Sequence, residues 1–225
     1  ANKAIPRLAW LGDKSVPVAD ADSAGVTSAA LQKYYSTING IWQKLFAAVT
    51  AGDVKGVTID ENTGTTIEAQ ETLAAGRSLA IFEEVWAKSN AILRARPDKQ
   101  MLVSRGIFEN YRQYLDSKGV VYDINITQNG LQTLRWNGIP IVNMETVWDI
   151  DLKADFVADT TTNTYFLPNR VILTIPDNIP ITTLNENDMS ELESWYDQNL
   201  RNWNIAFGFS LDALFIDEEL IVVGY

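Results

Sequence analysis

Residues 134–144, LRWNGIPIVNM, constrain the fold more than any other stretch of this chain. Asn137-Gly138 is the strongest short signal for a two-residue hairpin turn, and apolar residues flank it on both sides. Pro140 follows two positions later, where a paired central strand needs a backbone N–H. The fold must therefore accommodate a tight reversal followed at once by a strand that begins with proline.

Residues 27–50 have the apolar spacing of a helix. Gly40 interrupts this pattern, which predicts either two helices or one helix with a weak point. Gly52 is the expected stop.

A second helical pattern begins near Thr65. Thr65 and Glu68 have the spacing of a capping box, in which the hydroxyl and the carboxylate satisfy the first amides of a helix. The apolar periodicity then predicts one long amphipathic helix up to residues 94–96, where Pro97 bars continuation.

The segments that follow predict a β-meander with helices on one face of its sheet. Residues 101–103 read as a short strand, and Ser104 as the cap of a helix that Gly119 closes. The predicted meander strands cover residues 120–126, 131–136 and 139–144.

The C-terminal third mixes polar and strongly apolar segments. Residues 145–169 read as polar loop, and residues 171–175 as a buried strand followed by a proline-rich turn. Alternation over residues 190–209 favours a long strand over a helix, and the segments NIAFGFSLDALFI and ELIVVGY also read as strands.

The chain contains neither cysteine nor histidine. These absences exclude disulfides and thiolate nucleophiles and remove the commonest general base and transition-metal ligand. Zinc, haem and Ser-His-Asp chemistry are therefore not expected, and we assign no catalytic residue, no cofactor site and no metal site. The seven tryptophans indicate large buried contacts. No run of about 18 apolar residues exists, so no membrane span is predicted.

The net charge of -11 is unevenly distributed. Residues 1–144 contain 15 basic and 14 acidic residues, whereas residues 145–225 contain 3 basic and 15 acidic residues. Because DNA binding needs clustered cations, no specific nucleic-acid binding is predicted. The acidic third is either a solvated surface or a face that docks on a basic partner or a neighbouring subunit.

Residues 60–71, DENTGTTIEAQE, partly match a calcium-binding loop. The positions that would supply its ligands are Asp60, Asn62, Gly64, Thr66, Glu68 and Glu71. Gly64 has no side-chain oxygen, and Thr65 stands where the sharp turn needs glycine. A loop followed by a capped helix explains the same residues.

Four carboxylates, Asp149, Asp151, Asp155 and Asp159, would share one face of a strand. Such a row could hold a hard cation, and paired carboxylates could serve a glycosidase, although nothing in the sequence places two of them across a cleft. The simpler interpretation is the solvent-facing side of an edge strand.

Arg94, Arg96 and Lys99 form a basic cluster beside a predicted helix C-terminus. There they complement the helix dipole, or they bind an acidic partner. Phosphate-binding glycine loops do not occur in the sequence, and GFS at residues 208–210 lacks the flanking glycine of a nucleophile elbow.

Four segments together resemble a known family. In chain order they are DKQMLVSRGIFENYRQYLDSKG, LRWNGIPIVNMETVW, LPNRVILTIPDNI and FGFSLDALFIDEELIVVGY. Their order and spacing resemble the major capsid protein of tailed bacteriophages, the family with the Hong Kong 97-type fold. The resemblance covers about residues 27–225 and includes encapsulin-like relatives.

The resemblance implies an α+β fold with a small mixed or antiparallel sheet flanked by helices, called the axial domain, plus part of a peripheral domain with long strands. Residues 1–25 are expected to form an extended arm or linker, residues 26–185 the axial-type domain, and residues 186–225 strands returning to a peripheral-type domain, packed as one unit. In that fold the Gly138-x-Pro140 step reverses the chain at the rim of the sheet, where the missing amide is harmless.

The resemblance also implies a function. The expected role is a non-enzymatic bacteriophage or prophage shell protein, made in the bacterial cytoplasm, that self-assembles as hexamers and pentamers into the icosahedral head of a virion. Its partners would be copies of itself and other phage head proteins, with no membrane partner and no small-molecule substrate, so the resemblance implies a protein that is not an enzyme. The extended loop and long spine helix of the family have no counterpart here, so the chain would be a fragment or a shortened relative, and no cross-linking residues are assigned. The alternatives are an encapsulin-like compartment shell, a carboxylate- or calcium-dependent hydrolase, and a plain binding module.

Overall fold

The computed structural model describes residues 4–14, 33–64, 66–120, 125–126, 131–155, 167–182, 191–197, 202–208 and 212–225. These residues form three layers, in which a seven-stranded mixed sheet lies between two layers of helices. The helices are α1 (Ala4–Leu11), α2 (Ile41–Ala51), α3 (Ile67–Glu71), α4 (Arg77–Lys88), α5 (Ala91–Ala95), α6 (Arg105–Ser117) and α7 (Asp149–Asp155).

The described strands belong to one large sheet and two small ones. They are β1 (Lys55–Val57), β2 (Gln100–Val103), β3 (Asn125–Ile126), β4 (Gln132–Trp136), β5 (Ile139–Asn143), β6 (Val171–Thr174), β7 (Ile181–Thr182), β8 (Glu191–Asp197), β9 (Asn202–Gly208), β10 (Asp212–Ala213) and β11 (Ile221–Gly224). The large sheet has the order β1-β11-β6-β2-β5-β4-β3, in which β1–β11 and β2–β5 are parallel and the other pairs antiparallel. The small sheets are β7–β10 and β8–β9.

The Asn137-Gly138 hairpin forms as predicted. Both turn residues have positive φ, 48° and 80°, as a tight turn of this class requires. The pair that flanks the turn, Trp136–Ile139, exchanges backbone hydrogen bonds, so the next pair, Arg135–Pro140, is a non-hydrogen-bonded pair. Parallel pairing with β2 starts only at Ile141. Pro140 therefore occupies a position where neither neighbouring strand needs a backbone N–H. This confirms the expectation that the missing amide of Pro140 is harmless.

The meander of β5, β4 and β3 is confirmed, but the prediction of helices on one face is wrong. Strand residues alternate between two apolar cores, as the pleat requires. Met101 and Val103 face the core beneath α4 and α6, whereas Leu102 faces the core beneath α1 and α2. A sheet buried on both faces explains why its central strands are apolar at nearly every position.

The helix predictions are confirmed in place and corrected in length. Residues 33–35 are helical and α2 starts after Gly40, so the first pattern contains two helical segments. A Cβ at Gly40 would lie 2.7 Å from the backbone nitrogen of Gly12, so glycine lets the segment after α1 pass close by. Gly52 ends α2 in the left-handed conformation, as predicted.

The second pattern forms three helices, α3, α4 and α5, rather than one long helix. Gly76 breaks the run in the left-handed conformation, and Asn90 starts α5 by accepting a hydrogen bond from the backbone N–H of Leu93. The cap of α3 is Thr66, whose hydroxyl accepts from the N–H of Ala69, and Thr65 lies outside the described residues.

Three further expectations need correction. Within the predicted extended arm of residues 1–25, residues 4–11 form a helix whose Leu8, Ala9 and Trp10 are buried. Within the predicted polar loop of residues 145–169, residues 149–155 form a helix. The predicted long strand over residues 190–209 is an antiparallel hairpin, in which Asp197 pairs with Asn202.

The predicted division at residue 185 stays a prediction. β11 lies between β1 and β6 in the large sheet, so the last strand of the chain shares that sheet with strands from its first part. Only the segment between β7 and β10 contributes the separate β8–β9 hairpin.

Candidate functional site

The β8–β9 hairpin displays most of the exposed aromatic surface of the described chain. Trp203 is 71% exposed, Trp195 49% and Tyr196 47%. Tyr196 and Trp203 are cross-strand partners whose ring centroids lie 5.6 Å apart. Consecutive strand residues point to opposite faces, so exposed Trp195 and Tyr196 show that both faces are uncovered at this end of the hairpin.

The backbone of this hairpin is also open to partners. Among the described strands, β8 and β9 pair only with each other, so within the described part of the chain both outer edges offer free N–H and C=O groups. A two-stranded hairpin is marginally stable by itself in water. Exposed aromatic rings beside open strand edges are the features of a surface that binds another chain.

The basic cluster surrounds a tryptophan at the end of α4. The guanidinium of Arg94 donates to the backbone carbonyls of Trp86 and Ala87, both at 3.0 Å. Arg94 and Lys99 also lie 5.4 and 5.9 Å from the centroid of the Trp86 ring. Arg96 forms a 2.8 Å ion pair with Asp98. The predicted role at a helix C-terminus is therefore confirmed, and binding of an acidic partner stays a prediction.

The residues of the hypothetical calcium loop serve the fold instead. The side-chain amide of Asn62 donates to the carbonyl of Asn169 at 2.7 Å, and its side-chain oxygen accepts from the N–H of Asn169 at 3.1 Å. Glu71 pairs with Lys153 at 2.8 Å. No group of three carboxylates placed to hold a metal ion occurs among the described residues. The calcium hypothesis loses its geometric basis.

The hypothetical row of carboxylates is also dispersed, because residues 149–155 are helical. Asp151 and Asp155, four residues apart on one helix face, both pair with Arg7 of α1, and Asp155 accepts a 2.5 Å hydrogen bond from the hydroxyl of Tyr35. Asp149 points elsewhere, and Asp159 lies outside the described residues. This ionic cluster attaches α1 to α7, and sequence reasoning missed it because its partners are far apart along the chain.

A cleft of about 710 Å³ lies between the start of α6 and α7. Its charged lining residues are Glu71, Arg105, Glu109, Glu145, Asp149 and Lys153. Most of them are paired: Arg105 lies 3.4 Å from Glu145, Lys153 is bound to Glu71, and Glu109 forms a pair with Arg112. The cleft is therefore largely neutralised by its own side chains.

Asp149 is the exception in this lining. One carboxylate oxygen accepts a 2.5 Å hydrogen bond from the backbone N–H of Arg105, so Asp149 caps α6 from a distant part of the chain. The other oxygen has no hydrogen-bond partner within the described part of the chain. Burial raises the pKa of Asp149 to about 7, although the N–H of Arg105 and the charge of Arg170 lower it. The predicted helix cap, Ser104, instead accepts from the N–H of Arg170 at 3.2 Å.

Arg170 is a buried cation behind the cleft. Its guanidinium lies 4.7 Å from the ring centroid of Trp42, and its Nε donates to the carbonyl of Leu167 at 2.8 Å. Burial lowers the pKa of Arg170 to about 9, and the neighbouring Asp149 opposes that change. Its contacts with the Trp42 ring and the Leu167 carbonyl place Arg170 against the core beneath α2.

Comparison with protein-family models finds no match, and comparison with curated proteins finds none either. The fold, however, is similar to a chain in the structure of the satellite phage P4 procapsid including the size determination (Sid) protein. That similarity has a TM-score of 0.54 at 14% identity, and it covers 96% of this chain. This chain spans only 57% of the length of that chain.

A chain from Mycobacterium phage Che8 is also similar, at 11% identity over 81% of this chain and 57% of that chain, but its TM-score of 0.42 is too low to carry an argument. The described structure is a mixed α+β fold, with a mixed sheet flanked by helices, that is similar to a chain of a phage procapsid structure. None of the described helices is long and apolar enough to span a membrane.

Proposed function

We propose that this chain is a structural shell subunit of a bacteriophage or prophage head, with the Hong Kong 97-type fold, and that it acts by self-assembly rather than by catalysis. The observation that carries the proposal is the fold similarity to a chain of a phage procapsid over 96% of this chain. The predicted axial-type and peripheral-type division belongs to the same proposal.

The exposed hairpin supports this role. Shell subunits are held by many modest interfaces that symmetry repeats, so each subunit needs surface that is incomplete in isolation. The aromatic rings of Trp195, Tyr196 and Trp203 provide such surface on a hairpin with open edges. We propose that this hairpin contacts neighbouring copies in hexamers and pentamers, and that other head proteins bind the completed shell.

The charge distribution supports a container for DNA. With 15 acidic and 3 basic residues in positions 145–225, this third of the chain repels phosphate rather than binding it. A shell that encloses DNA without binding it tightly benefits from such a surface. The proposed location is therefore the virion, after synthesis in the bacterial cytoplasm.

Expression of the full chain alone, followed by negative-stain electron microscopy and sedimentation velocity, tests the proposal. We expect uniform hollow particles, and we expect the variant Trp195→Ser/Trp203→Ser to stay monomeric with an unchanged circular dichroism spectrum. A folded wild-type chain that stays monomeric up to high concentration would contradict a shell role. Hollow particles that co-purify with a protein cargo would instead indicate an encapsulin-like compartment.

A further inference from the structure

Two segments of this chain carry opposite charge and complementary apolar surface. Residues 88–99 contain four basic residues and one acidic residue. Residues 186–200 contain five acidic residues and no basic one. The acidic segment lies within the acidic part of the chain after residue 144, and both segments include described, exposed surface.

The basic segment forms a defined patch at the ends of α4 and α5. We call it the basic patch, and it consists of Lys88, Ile92, Arg94, Arg96 and Lys99. Lys88, Arg94 and Arg96 are exposed, and Ile92 is 56% exposed. Arg94 and Lys99 are held in position against the Trp86 ring, so the patch is ordered without a partner. A preorganised group of cations around an apolar centre loses little conformational freedom on binding.

The acidic segment includes β8, whose seven residues Glu191–Asp197 contain three acidic residues. The same hairpin exposes Trp195 and Trp203. Exposed indole rings are good partners for arginine and lysine side chains, because cations are attracted to the face of the ring. The hairpin therefore offers both negative charge and exposed aromatic rings to the basic patch.

Resting on the proposed function, we infer that the β8–β9 hairpin of one copy docks on the basic patch of a neighbouring copy. The two surfaces differ, so this contact is heterologous and runs head to tail. Repeated head-to-tail contacts close into rings when the rotation between subunits allows it, which is the arrangement that a pentamer or hexamer needs. Complementary charge also sets the register and disfavours patch-to-patch pairing.

Two charge-reversal variants of the full chain test this contact. Variant one, Lys88→Glu/Arg96→Glu, reverses the patch while keeping Arg94 and Lys99 on Trp86. Variant two, Glu191→Lys/Glu193→Lys, reverses the hairpin. Each places like charges across the contact, and we expect association measured by sedimentation velocity to weaken roughly tenfold or more. Association of the wild type should also weaken as salt is raised to about 0.5 M.

An equimolar mixture of the two variants is the decisive arm. In an alternating arrangement every hairpin meets a patch of opposite charge, so the mixture should associate about as strongly as the wild type. Controls with the same change in net charge at other exposed positions, Lys55→Glu/Lys118→Glu and Asp60→Lys/Glu68→Lys, should associate normally. Circular dichroism and thermal melting establish that all variants fold.

The possible outcomes separate this contact from the shell role. Normal association of either single-surface variant, or failure of the mixture, overturns the contact even when wild-type particles form. If a chain carrying all four substitutions associates but the mixture does not, the charges meet within one chain, and the contact is again overturned. If the variants and their mixture associate as expected, but the wild type forms only small rings and no closed particles, the contact is supported and the shell role is contradicted.

Discussion

The central sheet and the β8–β9 hairpin are both made of strands, but they place their apolar residues in opposite environments. All four residues of β6 and all four of β11 are buried, because helices cover both faces of the sheet. In the hairpin, Trp195 and Trp203 are exposed, and no other described strand pairs with either edge. The two faces of the sheet are covered by other parts of the described chain, whereas the hairpin exposes aromatic rings to solvent.

This difference indicates which region stabilises the fold and which region is available for assembly. Apolar surface removed from water within the chain stabilises the fold, whereas apolar surface left in water is available to a partner. Substitutions in the two regions should therefore have opposite signatures: loss of folding stability in the sheet layers, and loss of association with an intact fold in the hairpin.

The sharpest test of the comparison is a matched pair of aromatic truncations. Phe82 is fully buried, with its ring centroid 5.3 Å from that of Tyr111. Phe82→Ala should lower the free energy of unfolding by about 3–5 kcal/mol, because it leaves a cavity between α4 and the sheet. Trp203→Ala should change it by no more than about 0.5 kcal/mol. Urea denaturation of monomeric protein measures both, and equal costs would mean that the hairpin packs on the core.

A second test concerns how α1 is held to the sheet layers. Arg7 pairs with Asp151 and Asp155. Arg7→Met should lower the free energy of unfolding by about 2 kcal/mol, because two largely buried carboxylates lose their cation. The value is modest because Arg7 itself is partly exposed to solvent, which weakens the ion pairs. Lys44→Met, which removes a more exposed pair with Asp212, is the matched control and should cost less than about 1 kcal/mol.

Urea denaturation measures this pair of variants as well. Hydrogen exchange in α1 should accelerate in Arg7→Met alone. Equal stability of the two variants would show that apolar packing, and not the ionic cluster, attaches α1.

The third test uses pH. Burial raises the pKa of Asp149 from 3.8 to about 7 in the folded protein, so the folded state holds this proton more tightly than the unfolded state. Asp149 therefore contributes stability that is present below pH 4 and is lost as pH rises through 7. Asp149→Asn keeps an oxygen that accepts from the N–H of Arg105 but cannot ionise, so it should not lose stability as pH rises. At pH 8 its free energy of unfolding should exceed that of the wild type by about 1–3 kcal/mol.

Thermal melting between pH 4 and pH 8 measures that difference in slope. Asp98→Asn, a substitution at an exposed ion pair, is the control and should leave the slope between pH 5 and pH 8 unchanged. Parallel curves for wild type and Asp149→Asn would show that Asp149 titrates normally.

The smallest expected effect isolates backbone conformation from packing. Gly138 has a φ of 80°, and a Cβ there would meet no atom within 4 Å. Gly138→Ala should cost about 1 kcal/mol through left-handed strain alone, and Gly138→Asn should cost less because asparagine tolerates this conformation. Urea denaturation distinguishes the two, and equal costs would point to an unrecognised contact at the turn.

Features set by neighbouring residues were predictable from the sequence. The Asn137-Gly138 turn, the left-handed stop at Gly52, the strand 100–103 and the helix closed by Gly119 all depend on short-range conformational preferences. The predicted burial of tryptophan holds for Trp10, Trp42, Trp136 and Trp148, of which Trp42 and Trp148 pack edge to face at 5.0 Å. It is wrong for Trp195 and Trp203, since sequence pattern cannot distinguish a tryptophan that faces a core from one that is exposed on the surface.

The errors share a physical cause. The spacing of carboxylates over residues 149–155 predicts the exposed face of a strand, but Asp151 and Asp155 both pair with Arg7, which lies 144 residues before Asp151. The prediction of a single long helix after Thr65 missed the break at Gly76, which adopts the left-handed conformation. Glycine is compatible with several backbone conformations, so the sequence pattern did not indicate this one. The prediction of an extended N-terminal arm missed the burial of Leu8, because that burial depends on core residues that come later in the chain.

The sequence by itself determined the turn at Asn137-Gly138, the helix stop at Gly52, the strand at residues 100–103, the lack of histidine and cysteine, and the concentration of negative charge after residue 144. The order β1-β11-β6-β2-β5-β4-β3, the two buried faces and the meeting of Arg7 with α7 were decided only by tertiary structure. Backbone preferences act over a few residues, whereas burial and ion pairing depend on which distant segments fold against one another.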